Sequence, residues 1–151
     1  MRIAVALLTF TLAAPAAAET VDGDAITVID GDTIILPCDP ARGIWRHCGE
    51  RVRLIGIDTP EIGTHARCPA EAEVGTRAAT RLRELLAGGP VEVDRVDRDR
   101  WGRTLARITG PGGDVEAAML AAGLALPWRA GRAAWANRCR HWCPGTQRCK
   151  E

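Results

Sequence analysis

The chain has 151 residues, 46% hydrophobic and 26% charged, enough for one globular core and too apolar for a disordered or fibrous chain. Twenty Lys+Arg stand against 19 Asp+Glu, so a formal charge of +1 excludes a uniformly basic nucleic-acid coat while leaving room for a local basic face. Five Trp, one Phe and no Tyr leave aromatic work to Trp, and the length excludes a multidomain protein.

The first segment is predicted to lie outside the fold. Arg2 supplies a positive start, Ile3 to Leu12 an apolar core, and Ala16 to Ala18 a small-residue cleavage site, which together read as a signal peptide over residues 1–18. The run is short for a transmembrane span and is broken by Pro15; the alternative is an uncleaved anchor. Cleavage after Ala18 leaves a formally neutral chain of 133 residues. No other stretch is apolar enough to cross a bilayer. The expectation is an exported protein, periplasmic or secreted, with no membrane association after signal cleavage.

Six cysteines fall in the mature part: Cys38, Cys48, Cys68, Cys139, Cys143 and Cys149. An even number in an oxidising compartment favours disulfides, although six cysteines allow 15 pairings. Closeness in sequence favours Cys38 with Cys48. The alternative for the last three, with His141, is a zinc site, but their spacing lacks paired CxxC knuckles.

In chain order, Ala25–Ile29 and Thr33–Leu36 read as β-strands joined through the turn-forming Asp30-Gly31. An insertion from Pro37 to Gly49 is flanked by two cysteines. Arg51–Ile57 reads as a third strand, with Arg51, Arg53, Ile55 and Ile57 on one face and Val52, Leu54 and Gly56 on the other. Val74, Ala78, Leu82, Leu85 and Leu86 keep a helical period over 70–87, stopped by Gly88-Gly89-Pro90. Val91–Val96 and Thr104–Ile108 are strands four and five. Gly110-Pro-Gly-Gly turns the chain, Asp114 caps a short helix to Ala122, and a third short helix follows Gly131. Five strands and about three helices predict a small α+β domain built on a barrel, over residues 19–138, with a cysteine-containing basic tail over 139–151.

Three segments bring charge to strand ends. Asp30-Gly31-Asp32-Thr33 offers carboxylates for a hard cation such as calcium, or is simply a turn. Arg53 to Glu61 places an arginine on a strand and two carboxylates, Asp58 and Glu61, beyond it, separated by the stiff Thr59-Pro60; alone, this is equally a solvated loop. Asp97 to Arg103 can project a guanidinium whose planar fork suits phosphate, or is a charged surface loop. Combined, acids, a cation and two arginines are the parts for phosphodiester hydrolysis: a metal polarises the phosphoryl oxygen, a carboxylate takes a proton from water, and arginines offset developing charge.

The succession DGDT, VRLIGIDTPE, a helix, DRDRWGRTLARI and DVEAAMLAAGLA, from Ala25 to Leu126, resembles the staphylococcal-nuclease (thermonuclease) family. The resemblance implies a five-stranded OB-type β-barrel with about three α-helices, an architecture whose barrel face accepts single-stranded nucleic acid. It implies Ca²⁺ held by the side chains of Asp32 and Asp58 and the backbone carbonyl of Thr59. It further implies Glu61 as general base on the attacking water, and Arg53 and Arg103 as a phosphate clamp. The implied activity is cleavage of DNA and RNA, single strands preferred, to 3′-phosphorylated products by a monomer.

Departures are equally specific. The family commonly has Tyr where Trp101 stands, beside Arg100; Trp offers a larger stacking face without the hydroxyl. Trp128 reads as a core residue, with a second stacking face as the alternative. Asp22-Gly23-Asp24 repeats the DGD pattern, but Ala25 follows it, so Asp32-Thr33 is the better match. From Arg129 onward the chain carries a net charge of +5, which could hold a phosphate backbone or reflect a bias toward Arg. Two other functions stay open: a catalytically silent nucleic-acid-binding module and a disulfide-stapled exported interaction domain. A silent relative would typically have lost Arg53, Glu61 or Arg103, and all three are present.

Overall fold

The computed structural model describes residues 18–38 and 49–149. The expected signal peptide, most of the 37–49 insertion and the Cys38–Cys48 pairing lie outside the described residues. Within them run nine short strands and three helices, in the order β1 (Glu19–Asp22), β2 (Thr27–Val28), β3 (Thr33–Ile35), β4 (Arg51–Leu54), β5 (Ile57–Asp58), α1 (Pro69–Leu86), β6 (Pro90–Arg98), β7 (Thr104–Gly110), β8 (Gly113–Asp114), α2 (Val115–Ala121), β9 (Leu126–Pro127) and α3 (Arg132–Trp142).

The main sheet has the order β1-β6-β7-β4-β3-β2, with β8 pairing β7. Among the described residues only β4 and β7 pair in parallel. Strands β1 and β2 stand at opposite ends of this ladder, yet only the 3₁₀ turn Gly23–Ala25 separates them in sequence. The sheet must therefore curl back toward itself, giving the α+β, OB-like partial barrel. Five strand runs build it, as expected, but two of them are interrupted.

The first interruption corrects the expected strand over 25–29. Asp22 accepts from the Asp24 amide (3.1 Å), and Asp24 accepts from Gly88 N (3.1 Å), so the second DGD caps a turn and ties it to the end of α1. The second corrects the strand over 51–57. Gly56 sits at φ 77°, a conformation that favours glycine, and it breaks the run into β4 and β5. This break reverses the expected alternation: Ile57 is buried with Val52 and Leu54 instead of facing out with Arg51. β5 then leaves the main sheet to pair with β9.

Helix α1 matches its expected span to within a residue, with Pro69 in the first turn and the Cys68 sulfur accepting from Glu71 N (3.4 Å). Its Ala78, Ala79, Leu82 and Leu86 pack on Ile34, Val52, Leu54, Val91, Val93 and Ile108 of the sheet. Asp114 caps α2 as expected, accepting from Ala117 N at 2.8 Å. Val115 and Met119 of α2 complete the core. Helix α3 runs through the expected 138/139 boundary to Trp142. It is tied down by Cys68–Cys143, while Cys139–Cys149 closes the segment beyond it. The three C-terminal sulfurs are thus spent on disulfides, which removes the zinc alternative. Cys38 is disulfide-bonded as well.

Candidate active site

Strand register assembles the centre of the site. Thr33 lies opposite Arg53 in the β3–β4 ladder, and Leu54 N donates to Asp32 O (2.8 Å), so the turn residue Asp32 arrives beside the Arg53 side chain. Arg53 NH1 pairs with Asp32 Oδ1, and Arg53 NH2 reaches Asp58 Oδ1 at 3.0 Å. The two carboxylates are therefore neighbours bridged by one guanidinium. Asp32 is buried; Thr59 N donates to its Oδ2 (2.9 Å) and the Thr33 hydroxyl to its Oδ1 (3.1 Å). Burial pushes the Asp32 carboxyl up to about 7, against the pull of Arg53 and the Thr59 amide, with Asp30 and Asp58 adding to the rise.

Glu61 follows on an exposed loop. Partial desolvation, then the Asp30, Asp58 and Glu71 carboxylates, raise its pKa above the ordinary value. Asp30, Asp32, Asp58 and Glu61 together outnumber the guanidiniums paired with them, so the cluster carries an excess of negative charge. That excess is the observation favouring a divalent cation. Among the described residues, no three acidic, His or Cys side chains converge closely enough to chelate an ion by themselves. The residues that would hold a hard cation are Asp32 and Asp58, with the Thr59 backbone carbonyl beside them, and such an ion would supply positive charge next to a phosphate.

Helix α1 is the floor under both acidic loops, because its side chains there are small. A Cβ on Gly75 would lie 2.8 Å from the Pro60 carbonyl oxygen and closer still to that of Glu61. Gly31 in turn packs against Ala78 and Thr59. The fully buried Glu71, one turn earlier, accepts from Arg67 N (2.6 Å) and from Glu61 N (3.4 Å), and it pairs with the Arg67 guanidinium. Desolvation raises the Glu71 carboxyl, but the Arg67 bonds outweigh it and hold the pKa below the ordinary value. Glu71 thus stitches both ends of the Glu61–Arg67 loop.

The opposite wall comes from the β6–β7 hairpin. Asp99 accepts from Arg103 N (2.9 Å) and pairs with Arg103 Nε (2.7 Å), which fixes the expected guanidinium at the hairpin tip. Arg53 and Arg103 line one pocket of about 310 Å³, floored by Leu54, Ile57 and Leu105. Trp101 and Trp128 frame it, 66% and 51% exposed. The core expectation for Trp128 is therefore corrected: Trp128 N donates to Gly56 O (2.9 Å), holding the residue at the pocket rim where β9 crosses the β4–β5 break. Arg100 lies over the Trp101 ring, 4.1 Å from its centre.

Sequence reasoning missed Arg138. Its Nε pairs with Asp58 Oδ2 at 2.6 Å from helix α3, so Asp58 is gripped on both oxygens by arginines. Arg138, Asp58, Glu61, His65, Arg67 and Trp135 line a second pocket of about 390 Å³. The available signal was the helical spacing of Trp135 and Arg138, which places them one turn apart on the same face.

Residues 51–138 match the family model described as staphylococcal nuclease homologue. The chain is similar to an uncharacterized endonuclease of Escherichia coli O157:H7, 31% identical over 126 residues, covering 83% of this chain and 72% of that protein. It is similar to a micrococcal nuclease of Shigella flexneri, 33% identical over 71% of this chain and 58% of the relative. With a thermonuclease of Staphylococcus intermedius it shares 41% identity over 54% of this chain and 44% of the relative. An OB-like partial barrel with three helices, a match through most of its length and the Asp32–Arg53–Asp58 cluster lead to one conclusion: the chain belongs to the staphylococcal nuclease family.

Proposed function

We propose that this nuclease is an exported, calcium-dependent enzyme that cuts DNA and RNA, single strands preferred, acting as a monomer and leaving 3′-phosphorylated ends. The observation that carries the reading is Arg53 bridging Asp32 and Asp58, with Glu61 and Asp58 lining one pocket and Arg53 and Arg103 lining another. Asp32, Asp58 and the Thr59 carbonyl would hold the ion, which when bound supplies positive charge at a phosphoryl oxygen. Glu61 accepts a proton from the attacking water, its raised pKa making it a stronger base than an ordinary carboxylate. Arg53 and Arg103 donate to the phosphate as negative charge grows on it, and Arg103 stands by the departing 5′-oxygen. Trp101 and Trp128 offer stacking faces to the bases.

The N-terminal pattern and the disulfides support export, because such bonds persist in oxidising compartments. The test is cleavage of single-stranded DNA and RNA by the purified protein, with calcium or with EGTA, beside Arg53→Ala and Glu61→Gln. Activity should vanish in EGTA, and Arg53→Ala should cost about 10²–10³-fold in rate. Intact substrate with wild-type protein in calcium overturns the reading, and binding without cutting would then point to a silent module.

A further inference from the structure

Beyond the Arg53 pocket, on the far side of Trp101, lies an open groove of about 790 Å³ lined by Arg51, Arg98, Trp101, Arg103, Glu50 and the Gly49 and Gly102 backbones. Trp101 and Arg103 belong to both cavities, so the groove continues the candidate active site. Its charge balance differs from that of the centre. Among the described residues the one acid lining it is Glu50, engaged by the Arg95 guanidinium (2.7 Å) and the Thr104 hydroxyl (2.5 Å). Arg51 leads β4 and is exposed, and among the described residues it pairs with no carboxylate. Arg98 ends β6, and among the described residues its guanidinium donates to Gly102 O, at 3.2 Å, and to no carboxylate. Most other cations nearby are matched: Arg95 with Glu19 and Glu50, Arg103 with Asp99, Arg107 with Asp94.

Two unmatched guanidiniums beside an exposed indole, in a groove continuous with a phosphate site, make a polyanion track. We infer that Arg51 and Arg98 bind the backbone phosphates of a single-stranded nucleic acid on the Trp101 side of the scissile bond, extending the site by nucleotides that the reaction does not touch. This inference rests on the proposed nuclease reading for its choice of ligand. The groove's charge selects a polyanion, and its continuity with the Arg53 pocket through Trp101 and Arg103 suits a chain longer than a mononucleotide.

The experiment measures binding of a fluorescein-labelled (dT)20 in EDTA by anisotropy, across 50–200 mM salt, for wild type, Arg51→Glu/Arg98→Glu and Arg51→Gln/Arg98→Gln. Two lost phosphate contacts should flatten the slope of log K against log salt by about 1.4, so that wild type loses about sevenfold more affinity over that range than the neutral variant. Cleavage of a dinucleotide-length substrate in calcium should stay within twofold in both variants, since neither side chain reaches the Arg53 pocket. Among the described residues neither arginine pairs with a carboxylate, and thermal melts should be unchanged. An unaltered slope, absence of (dT)20 binding by wild type, or equal losses on the short and long substrates would each overturn the inference. Failure of the nuclease reading would show separately, as absent cleavage while the slope difference persists.

Discussion

Gly75 puts a number on how much the site depends on a missing side chain. Replacing it by alanine should favour the helix by about 1 kcal/mol, since alanine is the better helix former. The added Cβ would stand 2.8 Å from Pro60 O and nearer to Glu61 O, both rigid backbone atoms. Ordinary contact begins at about 3.4 Å, so the Pro60–Glu61 segment must retreat by roughly 0.6–1 Å. Overpacking of this kind costs about 1–3 kcal/mol, which offsets or exceeds the helix gain and leaves a small net destabilisation. Catalysis should suffer more. Displacing a catalytic group by about 1 Å can cost on the order of 10²-fold, and Glu61, the proposed general base, is the residue pushed. Gly75→Ala should therefore melt within a few degrees of wild type, yet cleave single-stranded DNA about a hundredfold more slowly under single-turnover conditions in saturating calcium. A variant that melts higher and cleaves within threefold of wild type would refute the idea that α1 sets the position of Glu61.

Glu71→Gln should destabilise by about 3–5 kcal/mol, because it strands the Arg67 guanidinium against a neutral partner; denaturant titration measures this. The lowered pKa of Glu71 means that its contribution is present above the ordinary value of 4.5 and disappears as pH falls through the folded-state value, so the variant should also lose part of the wild type's acid sensitivity. Glu116 behaves oppositely: burial, opposed by the Ile108 amide bond, pushes its carboxyl up to about 7, so the protonated form favours folding below 4.5 and that advantage fades as pH rises through 7. Glu116→Gln should raise stability by about 1–2 kcal/mol at pH 8, partial exposure discounted, and change it little at pH 4, as melts at the two values would show. Cys68–Cys143 closes a loop of 75 residues, for which chain entropy predicts about 4 kcal/mol, so Cys68→Ser/Cys143→Ser should lower Tm by about 15 °C in calorimetry.

The parts of this molecule that could be read from sequence are those fixed by local chemistry. The period of Leu82 and Leu86, the Asp114 cap and the Gly88-Gly89-Pro90 stop place two helices to within a residue, and the motif around Arg53 and Glu61 places Glu61 just beyond a strand that Asp58 ends. What could not be read depends on distant partners. The reversal at Gly56 needs β9 to receive β5, and alternation along 51–57 carries no trace of it. Trp128 reads as core and emerges at a pocket rim, its amide committed to Gly56. Pairing of Cys68 with Cys143 follows from α3 lying against the start of α1, which spacing along the chain does not encode. Arg138 was hidden for the same reason: one arginine among 19 acquires meaning only when its helix is set beside Asp58.

The curl that leaves β1 and β2 at opposite ends of one ladder also governs when the site can exist. Pairing of β1 with β6 joins residues 19–22 to 90–93, and the parallel β4–β7 ladder joins 52–54 to 104–106. Contacts of such long sequence separation form late, since loop closure must precede the interactions that reward it. Asp32 and Arg138, which grip the same cluster, are separated by 106 positions. No short fragment holds both halves, so a chain still in synthesis has acids and arginines but no place where a phosphate meets them together.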